Sequence, residues 1–109
     1  MEIFHHFYND IMVVDIAPGD GDFVEEDLDE FIKEIKSLNN GKAKKVALNM
    51  KNKKFLNSSG LGEMIKVKDI LLDDGMELIL IALAPRIESL IDMVGLNNFF
   101  TIVSTEKDI

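Results

Sequence analysis

Ile3 to Tyr8 sets apolar Ile3, Phe4 and Phe7 around polar His5 and His6 and is rich in aromatic side chains, as a strand would be. Asn9-Asp10 has the composition of a two-residue turn, and Ile11 to Ala17 reads as the returning strand. Pro18-Gly19-Asp20-Gly21 is loop chemistry. The spacing then changes. Val24, Leu28, Phe31, Ile32, Ile35 and Leu38 fall on one stripe at helical spacing. Asp22 with Glu25 three residues on is a weak capping signature ahead of it, and Asn39-Asn40-Gly41 stops it.

The second half repeats a strand–helix alternation. Lys45 to Met50 is mostly apolar on both faces, which suits a central strand covered on both sides. Lys51 to Asn57 is a loop. The next helix-like stretch, Leu61 to Leu72, has Leu61, Met64, Ile65, Ile70, Leu71 and Leu72 as its inward stripe, blurred by Val67 and Lys68. Asp73-Asp74-Gly75 ends it. Leu78 to Leu83 is a buried strand, and Pro85 suits the first turn of a third helix carrying Ile87, Leu90, Ile91 and Val94. Gly95 closes that helix, and Phe99 to Val103 reads as a short last strand. The order is β-β-α-β-α-β-α-β. Strand–helix–strand units imply parallel crossovers, and the first two strands form an antiparallel hairpin. The expected architecture is α/β: a mixed, mostly parallel sheet with helices packed on it.

Length and composition narrow the picture. A chain of 109 residues is one domain by its length, residues 1–109, and with 47% hydrophobic residues it can build a sizeable core. The absence of cysteine removes disulfides, thiolate metal sites and a cysteine nucleophile. The longest apolar run, Leu78 to Ala84, is strand-sized and too short for a membrane span. The start lacks the layout of a secretion signal, so the expected location is the cytoplasm. A net charge of −8 argues against a general nucleic-acid or anionic-membrane surface. That charge is uneven. Acidic residues crowd positions 20 to 30, and Lys42, Lys44, Lys45, Lys51, Lys53 and Lys54 precede a serine pair.

The run Phe55-Leu56-Asn57-Ser58-Ser59-Gly60-Leu61-Gly62 lies between a strand and a helix. Hydroxyls there stand on exposed backbone at a helix N-terminus, where free N–H groups favour negative charge. By residue type alone, Asn57, Ser58 or Ser59 could simply cap the helix. The run resembles the phospho-acceptor motif of STAS domains of the anti-sigma factor antagonist type, Asp-Ser-Ser-Gly-Leu-Gly after a strand. The resemblance extends over roughly residues 44 to 103: the strand before the run, Gly75 at the helix end, the strand Glu77 to Ala82, Pro85 through Asp92-Met93, Gly95-Leu96 and Phe99-Phe100. Asn57 stands where the family has the acidic residue, and Asn caps a helix about as well as Asp.

The resemblance implies a function. The unphosphorylated domain binds an anti-sigma factor that is also a serine kinase, and so frees a bacterial sigma factor. The kinase phosphorylates Ser58, binding is switched off, and a phosphatase resets the domain. Ser59 would be structural. Asn57, Ser59, Gly60, Leu61 and Gly62 would form the phosphosite loop and partner-binding surface, with Gly60 and Gly62 leaving a bare first turn. The chain would be a substrate and partner, not an enzyme, with no cofactor, no metal and no direct nucleic-acid or membrane partner. A scaffold STAS protein without a physiological phosphoserine, and a small-ligand or nucleotide-binding module, are the alternatives.

The remaining candidates are weaker. Lys53 or Lys54 could pair with phosphate or with partner carboxylates, although loop lysines also simply keep a sheet soluble. Asp20-Gly21-Asp22 lacks the rest of a calcium loop. His5 and His6 are adjacent on a strand and so point to opposite faces. No Gly-x-Ser-x-Gly elbow or Walker motif is present.

Overall fold

A computed structural model describes residues 4–15, 25–54, 56 and 58–109, with only the helical backbone given for 25–28. The expected loop at 18–21, the Asp22 capping signature, the side chains of Val24 and Leu28, and Phe55 and Asn57 lie outside the described residues.

The element order is that of the pattern. β1 (Phe4–Tyr8) and β2 (Ile11–Asp15) form the hairpin, followed by α1 (Glu25–Asn39), β3 (Lys45–Asn49), α2 (Ser58–Asp73), β4 (Glu77–Ile81), α3 (Pro85–Met93) and β5 (Thr101–Val103). The five strands lie in one sheet in sequence order. β1 pairs antiparallel with β2, and β2–β3, β3–β4 and β4–β5 are parallel. β3 is therefore central, flanked by the parallel neighbours that its apolar composition predicted.

The helices share one face of this sheet. Phe31, Ile32 and Ile35 of α1, Leu61, Met64, Val67 and Leu71 of α2, and Ile87 and Ile91 of α3 bury against Met12, Val14, Val46, Leu48, Leu78 and Leu80. The opposite face carries a smaller cluster, Ile11, Val13, Ala47, Ile79 and Ile81, with Tyr8, Val103 and Ile109 packed on it. The chain reaches that face by a 3₁₀ turn at Glu106–Asp108, held by a reciprocal capping box between Thr105 and Asp108. Glu106 Oε1 lies 2.5 Å from His6 Nε2 on the far edge strand. Residues 104–109 thus strap across the sheet from β5 towards β1.

Two stripes differ from the pattern. α2 begins at Ser58, three residues before its first large apolar side chain, so Val67 is fully buried at the centre of the inward face and Leu72 is 60% exposed. The inward set Leu61, Met64, Val67, Leu71 keeps i, i+3, i+4 spacing; Leu72 lies off it. α3 ends at Met93, which leaves Val94 outside the helix and exposed. Both helices close on glycine. The Gly75 and Gly95 N–H groups bond Leu72 and Asp92 carbonyls, and the following N–H groups of Met76 and Leu96 reach Leu71 and Ile91. That pattern needs a left-handed residue, and both glycines have φ of 76°.

Candidate functional site

The loop after β3 is fixed before the serines are reached. The Met50 N–H donates to the Ile81 carbonyl at 2.9 Å, which extends the β3–β4 ladder by one bond. Asn49 Oδ1 accepts the Lys51 N–H at 3.1 Å, a local side-chain turn that competes with strand continuation. The Lys53 N–H donates to the Met50 carbonyl at 2.9 Å. Leu56 is buried in the core. The backbone is therefore anchored on both sides of the turn that delivers Ser58.

Ser58 and Ser59 are the first two residues of α2, and both are exposed. Gly60 and Leu61 are buried, and Gly62 is partly exposed. Among the described residues at the start of α2, the two serines and Gly62 thus face outward. A Cβ built on Gly62 meets nothing within 4 Å, so packing within the described residues does not require glycine there. The first turn of α2 contains no acidic residue, so no carboxylate of that turn compensates the helix's positive end.

The lysines do not form one cluster. β3 separates them: Lys42, Lys44 and Lys45 lie at its start and Lys51, Lys53 and Lys54 beyond its end. Lys53 is only 6% exposed, unlike a lysine that merely solubilises a loop, and Lys54 is exposed. His5 and His6 sit on the edge strand, two strands from β3, so the sheet does not bring them beside Ser58 as a base would require. Among the described residues no group of His, Cys, Asp and Glu could hold a metal ion.

The pattern missed a neighbour. β3 and β4 are adjacent and parallel, so the N-termini of α2 and α3 open at the same end of the sheet. α3 starts at Pro85 with Ala84 as an N-cap that makes no side-chain bond. Arg86, the only arginine in the chain, follows it and is exposed. A cation at a helix N-terminus opposes the macrodipole, and among the described residues no carboxylate pairs with it. Leu56, Pro85, Arg86, Ser89, Leu90 and Met93 line a groove beside the serine loop. Met93 is 81% exposed at its rim. A lone arginine placed against a local rule was the available signal.

The site is thus a serine pair opening the central crossover helix of a mostly parallel sheet that carries its α-helices on one face. The STAS domain family model matches residues 15–109, and the chain belongs to that family. No curated protein sequence matches it. Solved structures share the fold at low identity. The protein TM1081 from Thermotoga maritima superposes with a TM-score of 0.73 at 16% identity, covering 97% of this chain and 89% of that one. An anti-sigma factor antagonist from Mycobacterium paratuberculosis gives 0.71 at 17% identity, with 98% and 88% covered. The Bacillus cell fate determinant SpoIIAA in its phosphorylated form gives 0.63 at 16% identity, with 98% and 95% covered.

Proposed function

We propose that this chain is an anti-sigma factor antagonist whose partner binding is switched off by phosphorylation of Ser58. The observation that carries the reading is an exposed serine at the first position of a sixteen-residue helix, on a turn with no carboxylate and no bulk. In the neutral state the bare turn lets a partner's backbone and nucleotide approach. The kinase supplies ATP, magnesium and the base; Ser58 supplies only the attacking oxygen. The chain is thus a substrate, not a catalyst, and a separate phosphatase reverses the step in the bacterial cytoplasm.

The switch follows from charge. A phosphate adds roughly −1.5 to −2 charges, and a contact that accepted a neutral serine must then desolvate an anion. In the free domain the same anion gains from the α2 N-terminus, with Lys53 and Lys54 in the preceding loop as the nearest cations in sequence. The groove along α3, lined in part by Arg86, extends the partner surface beyond the serine turn. Asn57 in place of the family's acidic residue favours one second reading, a scaffold protein whose serine is not modified in the cell.

Incubation with its cognate kinase, magnesium and ATP should add the mass of one phosphate to the chain. Ser58→Ala should take up none while still binding the kinase, and Ser59→Ala should remain a substrate. Phosphate at another residue, or at none, would leave the scaffold reading standing.

A further inference from the structure

Sulfur is unevenly placed in this fold. The chain has no cysteine, so its six methionines are its only sulfur groups. Met12, Met50 and Met64 are fully buried in the main core, and Met76 is 8% exposed at its edge. The Met76 sulfur also accepts from Asn39 Nδ2 at 3.4 Å. Met1 lies outside the described residues. Met93 is 81% exposed, more than any other large apolar side chain among the described residues.

Its place on α3 is specific. Ile87 and Ile91 form the buried stripe of that helix. Arg86, Ser89, Leu90 and Met93 stand at i, i+3, i+4 and i+7, a second face, which lines the groove with Leu56. A single exposed leucine at a helix end would call for no explanation. A thioether differs in its chemistry. Its sulfur is polarisable and carries lone pairs that react with two-electron oxidants. Exposure then decides which sulfur reacts, and here it separates one methionine from four.

We infer that Met93 is a redox-sensitive modification site, oxidised to the sulfoxide by peroxides while the core methionines are spared. A sulfur lone pair attacks one peroxide oxygen. The S–O bond forms as the O–O bond breaks, and the transferred hydroxyl gives its proton to the departing hydroxide, which leaves as water. Sulfur loses two electrons and the peroxide gains them. Sulfoxide reductases return the thioether. The modification turns a flexible apolar side chain into a polar one. The new oxygen is an acceptor on a face that already carries the Ser89 hydroxyl and the Arg86 guanidinium as donors. Oxidation therefore removes apolar contact from the rim of the groove and weakens a partner bound there, without using Ser58. This consequence rests on the reading of the groove as partner surface; the site itself does not.

Treatment of the full chain with dilute hydrogen peroxide, followed by peptide mapping, tests the site without a partner. One oxygen should appear on the peptide holding Met93, while those holding Met12, Met50, Met64 and Met76 stay unmodified until urea unfolds the chain. The urea midpoint of the oxidised chain should equal that of the reduced chain, because no core sulfur has reacted. A core methionine that oxidises as fast as Met93 in the folded chain, or a Met93 that stays reduced, overturns the proposal. Calorimetry with the cognate kinase tests the consequence. Peroxide should weaken binding of the wild-type chain about fivefold, reductase treatment should restore it, and the affinity of Met93→Leu should not respond to peroxide. Unchanged binding with the sulfoxide in place, or an equal loss in Met93→Leu, overturns control of the groove by Met93. A reduced chain that binds no kinase overturns the functional reading instead, and the mapping still decides the site.

Discussion

The two ends of the sheet are built by different standards. At the end where β3 and β4 begin, local preferences agree with the fold. Asn39, only 4% exposed, donates from Nδ2 to the Ala43 carbonyl at 2.9 Å and accepts the Ala43 N–H at Oδ1 at 2.8 Å. Lys36 pairs with Asp74, and Lys45 stands 3.8 Å from Glu77. Gly41 and Gly75 occupy the left-handed positions. At the end where the strands finish, several preferences are violated. Glycines stand in the first turns of α2, Arg86 opposes a helix dipole, and Ala82 is held at φ of 58°. Among the described residues buried Glu63 Oε2 meets no hydrogen-bond partner, although Oε1 accepts from Lys66 at 3.3 Å. Local rules are kept at one end and broken at the other, the end to which the proposed function assigns partner binding.

The largest effect should come from the self-consistent end. Asn39→Ala strips both partners from a buried peptide group and should cost about 2–3 kcal/mol, read as a lower urea midpoint at unchanged slope. A loss under about 0.5 kcal/mol, the range of ordinary surface changes, would mean that this end is not held together as described. At the opposite end Ser58→Asp should raise the urea midpoint slightly, through the α2 N-terminus, and weaken kinase binding about tenfold, measured by calorimetry. Equal binding of the substituted and wild-type chains would remove the charge argument.

Gly62→Ala sharpens the contrast most directly, because its two readouts move in opposite directions. With nothing within 4 Å of the new methyl, helix propensity should stabilise the domain by about 1 kcal/mol, while the added bulk should weaken partner binding. Improved stability with unaltered binding would show that the bare turn serves no approach. The smallest effect is expected for Ala82→Gly. Relief of left-handed strain, about 1 kcal/mol, is partly offset by the entropy of a freer unfolded chain. The net stabilisation should be a few tenths of a kcal/mol, visible as a small rise in Tm.

Periodicity made most of this fold legible. β3 declared itself central because both of its faces are mostly apolar, and the glycine stops at 75 and 95 were readable from turn chemistry alone. The start of α2 was not. Ser58, Ser59 and Gly60 are poor helix formers and carry no stripe; their place in the helix is decided by Leu61 and Met64 packing on the sheet. The separation of the lysines was hidden for a related reason, since neighbours in sequence lie at opposite ends of a strand. Arg86 was visible as a residue but not as lining the same groove as Leu56 of the serine loop. That proximity depends on β3 and β4 being adjacent, a tertiary fact.

The strap has a consequence for how the chain comes to be folded. His6 and Glu106 are 100 residues apart in sequence, and Ile11, Val13, Ala47, Ile79 and Ile81 receive Ile109 from the same segment. Pairings of such long sequence separation form slowly. During synthesis, β1 to β4 precede the strap, so until residues 104–109 are in place these apolar side chains lack that part of their cover. Partly folded chains of this kind are prone to aggregation. A ribosome-stalled chain ending at Val103 should accordingly bind a hydrophobic dye, and a chain extended through Ile109 and a spacer should not.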